Sequence, residues 1–171
     1  MKKLFLVGIF LVLVSCVEEN KSQTTRLEGF VFGTTYHITY LSKDNTNYQK
    51  SIDSLFYLVN KSLSTYIPTS DISKINAGDS TVIIDQLFAE VFQKSKRLYK
   101  DTDGFFDPTV GSLVNAWGFG PKGPIASMTD KKIDSLMQYV GLNKVSIKNS
   151  KVLKERAEIY LDFNSIAKGF G

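Results

Sequence analysis

The chain has 171 residues, of which 43% are hydrophobic and 22% charged, a balance that suits a folded protein and excludes disordered and fibrous classes. Its net charge of +4 comes from scattered lysines with no dense basic stripe interleaved with aromatics, which argues against a nucleic-acid partner. One cysteine rules out an internal disulfide, and the lone His37 has no second histidine or nearby cysteine with which to build a zinc site or a catalytic triad.

The amino terminus carries Lys2 and Lys3 followed by an apolar run over residues 4–14. That run is too short to cross a bilayer, which takes about twenty residues, and suits a secretory signal. It ends "LVSC", which resembles the lipobox of bacterial lipoproteins, where the thiol of the cysteine takes lipid and the signal is cut before it. The expected layout is a signal peptide over residues 1–15, a lipidated tether over 16–27 anchored through Cys16, and a folded domain from 28 onward. The protein is thus expected at the bacterial cell envelope, held to a membrane by its lipid anchor.

Residues 30–42, "FVFGTTYHITYLS", are rich in β-branched and aromatic side chains, with Tyr36, Ile38 and Tyr40 alternating onto one face; they predict a strand, or a strand pair bent at Gly33. The period then changes, and Ile52, Leu55, Phe56, Val59 and Leu63 follow one helical face. "TVII" over 81–84 predicts a short strand, and Asp85 a cap for a helix carrying Leu87, Val91, Phe92 and Leu98. A further helix is capped by Thr129 or Asp130, striped by Ile133, Leu136, Met137 and Val140, and stopped by Gly141. Residues 144–163 predict two or three strands with a turn near Asn149 and Ser150. The pattern is α+β, a mixed sheet with packed helices.

Most of the unusual chemistry sits in residues 103–120, "DGFFDPTVGSLVNAWGFG", with four glycines, four aromatic rings and two carboxylates. The motifs "FGTTY", "SLSTY", "SKINAG", "DGFFDPTVG", "WGFG" and "DFNSIAKG" are each weak alone. In this order they resemble the ApbE family of FAD:protein FMN transferases. That family has a strand ending in Met-Gly-Thr, then Ser-Thr-Tyr after a helix, a Ser-x-Ile-Asn turn, a Gly-x-Phe-Asp-x-Thr-Val-Gly segment running into Trp-Gly-Phe-Gly, and Asp-x-x-x-Ile-Ala-Lys-Gly opening a helix. Phe32 departs from the pattern, standing where the family commonly has methionine.

The resemblance implies an ApbE-like flavin transferase fold and transfer of FMN from FAD to a threonine or serine hydroxyl of an exported or membrane flavoprotein, with release of AMP and with magnesium as cofactor. It implies that Phe32, Tyr66, Phe105, Phe106, Asp107, Asp162 and Lys168 bind FAD, with Tyr66 stacking on the isoalloxazine, and that Ser165 is a metal ligand. Tyr66 as a core residue capping its helix, and Trp117 as a core anchor, are the plain structural readings of those rings. Gly104 and Gly111 suit a backbone that approaches a ligand.

The sequence stops at "SIAKGFG", where the family's helix begins, so the chain is expected to be the N-terminal part of a longer protein, truncated at Gly171, with its last helix incomplete. Two other functions stay open on the sequence: an FAD-binding lipoprotein that hydrolyses FAD to FMN and AMP, and a surface-tethered binding module with no enzymatic role.

Overall fold

Two nine-residue strands, β1 (Gln23–Val31) and β2 (Thr34–Ser42), pair antiparallel from Val31↔Thr34 out to Gln23↔Ser42. Phe32 and Gly33 join them with φ of 52° and 75°; two consecutive positive values make the tight turn whose twist matches that of the strands. The computed structural model describes residues 22–125 and 127–170, so the expected signal peptide and Cys16 lie outside the described residues. The segment 30–42 is therefore the end of the first arm, the turn and the second arm of a hairpin. The first arm reaches back to Gln23, so residues 23–27 of the expected tether are strand. Thr24 and Thr25 find backbone partners in Leu41 and Tyr40, and Leu27 is buried. The Tyr36 ring lies across Gly29, where a Cβ would come within 2.7 Å of it.

Among the described residues the hairpin belongs to one compact unit that ends at Gln49, and the residues from Lys50 on form a second. Helix α1 (Gln49–Leu63) buries Val59 and Leu63, whereas Leu55, expected on the same stripe, is 58% exposed. The short α2 (Asp71–Asn76) is capped by Ser70 Oγ, which accepts from Ser73 N, and its buried Asp71 takes the Lys61 ammonium at 2.9 Å. Helix α3 (Gln86–Asp101) has the expected cap: Asp85 Oδ1 accepts from Phe88 N at 2.9 Å and from Ser62 Oγ at 2.8 Å, which ties α1 to α3.

The expected strand over 81–84 does not form. Among the described residues their one backbone bond to another segment is Ile84 N to Ser150 O at 2.9 Å, because they face the tip of a hairpin rather than a strand edge. After α4 (Gly111–Ala116) comes α5 (Asp130–Met137), capped as expected by Thr129; Gly141 lies four residues beyond its end, with φ of 134°. A 3₁₀ turn, Leu142–Lys144, leads into β3 (Val145–Lys148) and β4 (Lys151–Lys154), an antiparallel pair turned at Asn149 and Ser150. No third strand follows, only an isolated parallel bridge between Val110 and Tyr160. Among the described residues the strands form two separate hairpins, so α+β holds but the mixed sheet is reduced to that bridge.

The last helix, α6 (Asn164–Phe170), runs to the last described residue: Ala167 is buried, and the Lys94 ammonium sits 4.8 Å from the Phe170 ring centre. Before it, residues 159–163 thread the core. Ile159, Leu161 and Phe163 are wholly buried, and Phe163 meets Phe88 edge-on with centroids 5.4 Å apart. Lys154 closes this segment by donating to the carbonyls of Ile75, Ala157 and Ile159, and burial pushes its pKa down.

Candidate functional site

The buried segment 159–163 brings distant motifs to one place. Along it the side chains alternate, so Leu161 and Phe163 point into the core while Tyr160 and Asp162 lie against Gly111. A Cβ on Gly111 would stand 2.8 Å from the Tyr160 carbonyl and 3.1 Å from Asp162 Cβ; only glycine lets α4 start this close. Asp162 N donates to Pro108 O at 2.8 Å, and Asn164 Nδ2 donates to Thr65 Oγ1 at 3.1 Å. The segments "STY", "FFDPT" and "DFN" are therefore joined by hydrogen bonds.

Asp162 is 8% exposed, and its Oδ1 accepts from Asn164 N at 2.8 Å. Burial raises its pKa, and the bonds from Asn164 pull it partly back. A buried carboxyl with a raised pKa in contact with several motifs is a site candidate on physical grounds. Burial also raises the pKa of the neighbouring Tyr160, and the Asp162 carboxylate adds to that rise.

Tyr66 is 57% exposed, so it is not a core residue. Its hydroxyl donates to the Phe119 carbonyl at 2.9 Å, which anchors the ring to the "WGFG" loop and leaves it open to a ligand. Trp117 is likewise mostly exposed, which corrects its reading as a core anchor: α4 buries Ala116 and Asn115 instead, and its last turn turns the indole outward. With Phe105 and Phe119, these rings are a set of exposed aromatics on one unit.

Phe105 and Phe106 are placed by the end of α3. Asp103 and Gly104 take positive φ, Thr102 Oγ1 donates to Leu98 O, and Phe106 N donates back to Thr102 Oγ1 at 3.0 Å. Phe105 is fully outward and Phe106 half-buried. The carboxylate of Asp107 turns away from solvent. Oδ1 accepts from both Thr109 N and Thr109 Oγ1, Oδ2 accepts from Leu142 N at 3.2 Å, and Thr109 Oγ1 accepts from Gly141 N at 2.7 Å. Asp107 thus clamps the loop to the start of the 3₁₀ turn, with the Phe105 ring outward beside it.

Ser165 and Lys168 are both exposed, three residues apart on one face of α6. Phe32 lies in the other unit, at the hairpin turn. Among the described residues no group of three or more His, Cys, Asp or Glu gathers as a metal site. Ser165 offers one hydroxyl, and an Asp162 oxygen is engaged with Asn164, so the described residues do not by themselves fit magnesium, which is held by carboxylates and substrate phosphates.

Residues 32–171 match the profile of the ApbE family. The chain belongs to that family. It is 35% identical to an FAD:protein FMN transferase of Haemophilus influenzae and 34% identical to one of Vibrio cholerae, aligned over 96% and 94% of its own length. Its fold matches the flavin transferase ApbE from Vibrio cholerae with a TM-score of 0.81 and 32% identity over 88% of the chain, and the apo flavinyl transferase ApbE of Pseudomonas stutzeri with 0.78 and 28%. The chain spans about half the length of the curated relatives it matches, 51% and 50% of the two transferases named.

Two residues that organise this ApbE-family site carry no role in the sequence reading. Asn76, inside the quoted "SKINAG", pairs with both backbone groups of Leu161. Thr109, inside "DPT", is wholly buried and bridges Asp107 to Gly141. The motif contained them, but a role played through another residue's backbone leaves no spacing signal.

Proposed function

We propose that the protein to which these residues belong transfers FMN from FAD to a threonine or serine hydroxyl of an exported or membrane flavoprotein. The observation that carries this is the joining of "STY", "FFDPT" and "DFN" around a buried Asp162 in a chain of the ApbE family. In the step itself the acceptor oxygen attacks the FMN phosphorus, the bond from that phosphorus to the bridging oxygen breaks, AMP leaves with that oxygen, and the acceptor's proton goes to solvent.

The roles assigned to this chain are binding and orientation. Tyr66 offers an open ring face for the isoalloxazine, and Phe105 and Phe106 line the nucleotide with backbone and ring. Asp162 accepts from an N–H of the ligand, and Lys168 faces its phosphates. Phe32 is assigned to the flavin side and Ser165 to a magnesium ion that would neutralise charge on the phosphates; one hydroxyl does not complete that ion's shell, so no role of these residues depends on it. Cys16 is assigned as the lipid anchor that places the enzyme beside its membrane acceptor, in the cell envelope.

The test is incubation with FAD, magnesium and a threonine-bearing acceptor peptide, followed by mass spectrometry. A gain of FMN mass on the peptide with equimolar AMP supports the transferase; AMP and FMN released without peptide modification make the protein an FAD hydrolase; no flavin binding at all makes it a binding module of another kind. For the anchor, Cys16→Ser is expected to release the protein from the membrane fraction, and unchanged partition overturns it.

A further inference from the structure

The ammonium of Lys154 stands inside a cage of three main-chain carbonyls, donating to Ala157 O at 2.8 Å, Ile159 O at 2.9 Å and Ile75 O at 3.2 Å. An ammonium has three N–H donors and no acceptor, so three carbonyls take up its whole bonding capacity. No ion pair holds it among the described residues, and Glu158 acts on its charge only from farther off. The side chain is half-buried, and a charge withdrawn from water without a carboxylate beside it is tolerated only where fixed dipoles replace its hydration. Converging carbonyl oxygens are also how proteins hold a monovalent cation stripped of its water. Ala157 and Glu158 are exposed, so the cage is open to solvent on that side.

The segments joined by the cage lead to the site. Ile75 and Asn76 are neighbours at the end of α2; the first is linked to Ile159 through the ammonium, and the second takes both backbone groups of Leu161. Ile159 and Leu161 are wholly buried and alternate with Tyr160 and Asp162, which lie against Gly111. Two successive ties on one side therefore set the register of the segment, and a slip of one residue would send Tyr160 and Asp162 inward. The two ties differ in kind. Asn76 supplies its own donor and acceptor, whereas the carbonyls of Ile75 and Ile159 are both acceptors and join only through a donor placed between them. Lysine is the side chain that brings three donors to a single point; the planar fork of an arginine spreads its donors apart.

We propose that the Lys154 ammonium acts as a tethered monovalent cation in this carbonyl cage, and that Lys154 is a positioning residue for the FAD site, holding Tyr160 and Asp162 in register without touching the ligand. The positioning role rests on FAD being the substrate. A free cation that carries N–H donors then takes the place of the ammonium once the side chain is cut back.

The test is Lys154→Ala in the whole chain, studied in ethylammonium chloride and in tetramethylammonium chloride at the same ionic strength. Both cations carry one charge, but only ethylammonium has N–H donors, and its two carbons stand in for the lost stem. In tetramethylammonium the variant is expected to bind FAD about tenfold more weakly than the parent, the scale of a buried carbonyl left unpaired, and ethylammonium is expected to bring it back to within about threefold. The parent should be indifferent to the exchange of salts. A lysine that only filled space would leave the variant indifferent too, so equal FAD affinity of the variant in the two salts overturns the positioning role, as does parent-like affinity in tetramethylammonium. Urea unfolding of the same variant reads the cage without FAD: a higher midpoint in ethylammonium supports it, and equal midpoints overturn it. A variant that folds in neither salt overturns it as well, because a cation alone then does not restore the cage. A parent that binds no FAD sinks the proposed function and the positioning role with it, while the unfolding midpoints still decide the cage.

Discussion

The carboxamide of Asn76 grips Leu161 by both backbone groups, donating to its carbonyl and accepting from its N–H, each at 2.8 Å. A side chain here does the work of a neighbouring strand, and it does so one residue before Asp162. The backbone of the site segment is thereby held on one side by Asn76 and on the other by Pro108 O.

Asn76→Ala leaves the N–H and carbonyl of a buried residue unpaired and is expected to cost about 1–3 kcal/mol, read from urea unfolding. Asn76→Asp keeps the acceptor but turns a carboxylate oxygen toward the Leu161 carbonyl, so it is expected to be at least as destabilising. FAD affinity should fall in both, because Asp162 loses its support. If Asn76→Asp proves neutral, the amide is not the strut described.

Asp162 gives a pH-dependent prediction. Burial raises its pKa above the ordinary 3.8, so the folded state binds this proton more tightly than the unfolded state. Stability from this group is fully present below the ordinary carboxylate value and is lost as pH rises through the raised folded value. Asp162→Asn removes that loss. The variant is expected to melt higher than the parent at neutral pH, with the gap closing toward acid, while binding FAD more weakly. A parent and variant that differ equally at all pH values would show that the carboxyl is already ionised at no cost.

Tyr66 separates ring from hydroxyl. Tyr66→Ala is expected to weaken FAD binding by about 0.5–1.5 kcal/mol or more, the worth of aromatic stacking beyond burial. Tyr66→Phe keeps the ring and loses only the exposed bond to Phe119 O, so it should retain most of the affinity and loosen the loop after Trp117. Flavin fluorescence titration decides this. Two variants binding like the parent would remove Tyr66 from the site.

Much of this was legible in the sequence where local chemistry governs. Asp85 and Thr129 cap their helices because a short oxygen side chain before an amphipathic run satisfies free N–H groups, and Asn149 and Ser150 turn β3 into β4 because polar residues tolerate positive φ. The ordered motifs led to the right family. What failed depended on partners distant in the chain. Residues 81–84 have strand-forming side chains, yet no strand edge waits for them. Trp117 sits at a plausible core position of its helix, yet α4 is only six residues long and turns the indole out. The bond from Leu142 N to Asp107 Oδ2 joins residues 35 apart and is announced by no local pattern.

The hairpin turn offers the sharpest separation of stability from function. Phe32 has φ of 52°, a conformation that costs a residue with a Cβ roughly 1–2 kcal/mol and that asparagine tolerates far better. A bulky ring kept in such a conformation at a tight turn, where the pattern for these turns favours Asn-Gly over Phe-Gly, is strain of the kind held at binding sites. Phe32→Asn is therefore expected to stabilise the hairpin and to impair flavin binding together. Hydrogen exchange at the paired amides of Val31 and Thr34 reads the first effect as slower exchange, and riboflavin titration reads the second as weaker affinity. Slower exchange with unchanged riboflavin affinity would take Phe32 out of the flavin site, and faster exchange would show that the contacts of the ring outweigh the strain of its backbone.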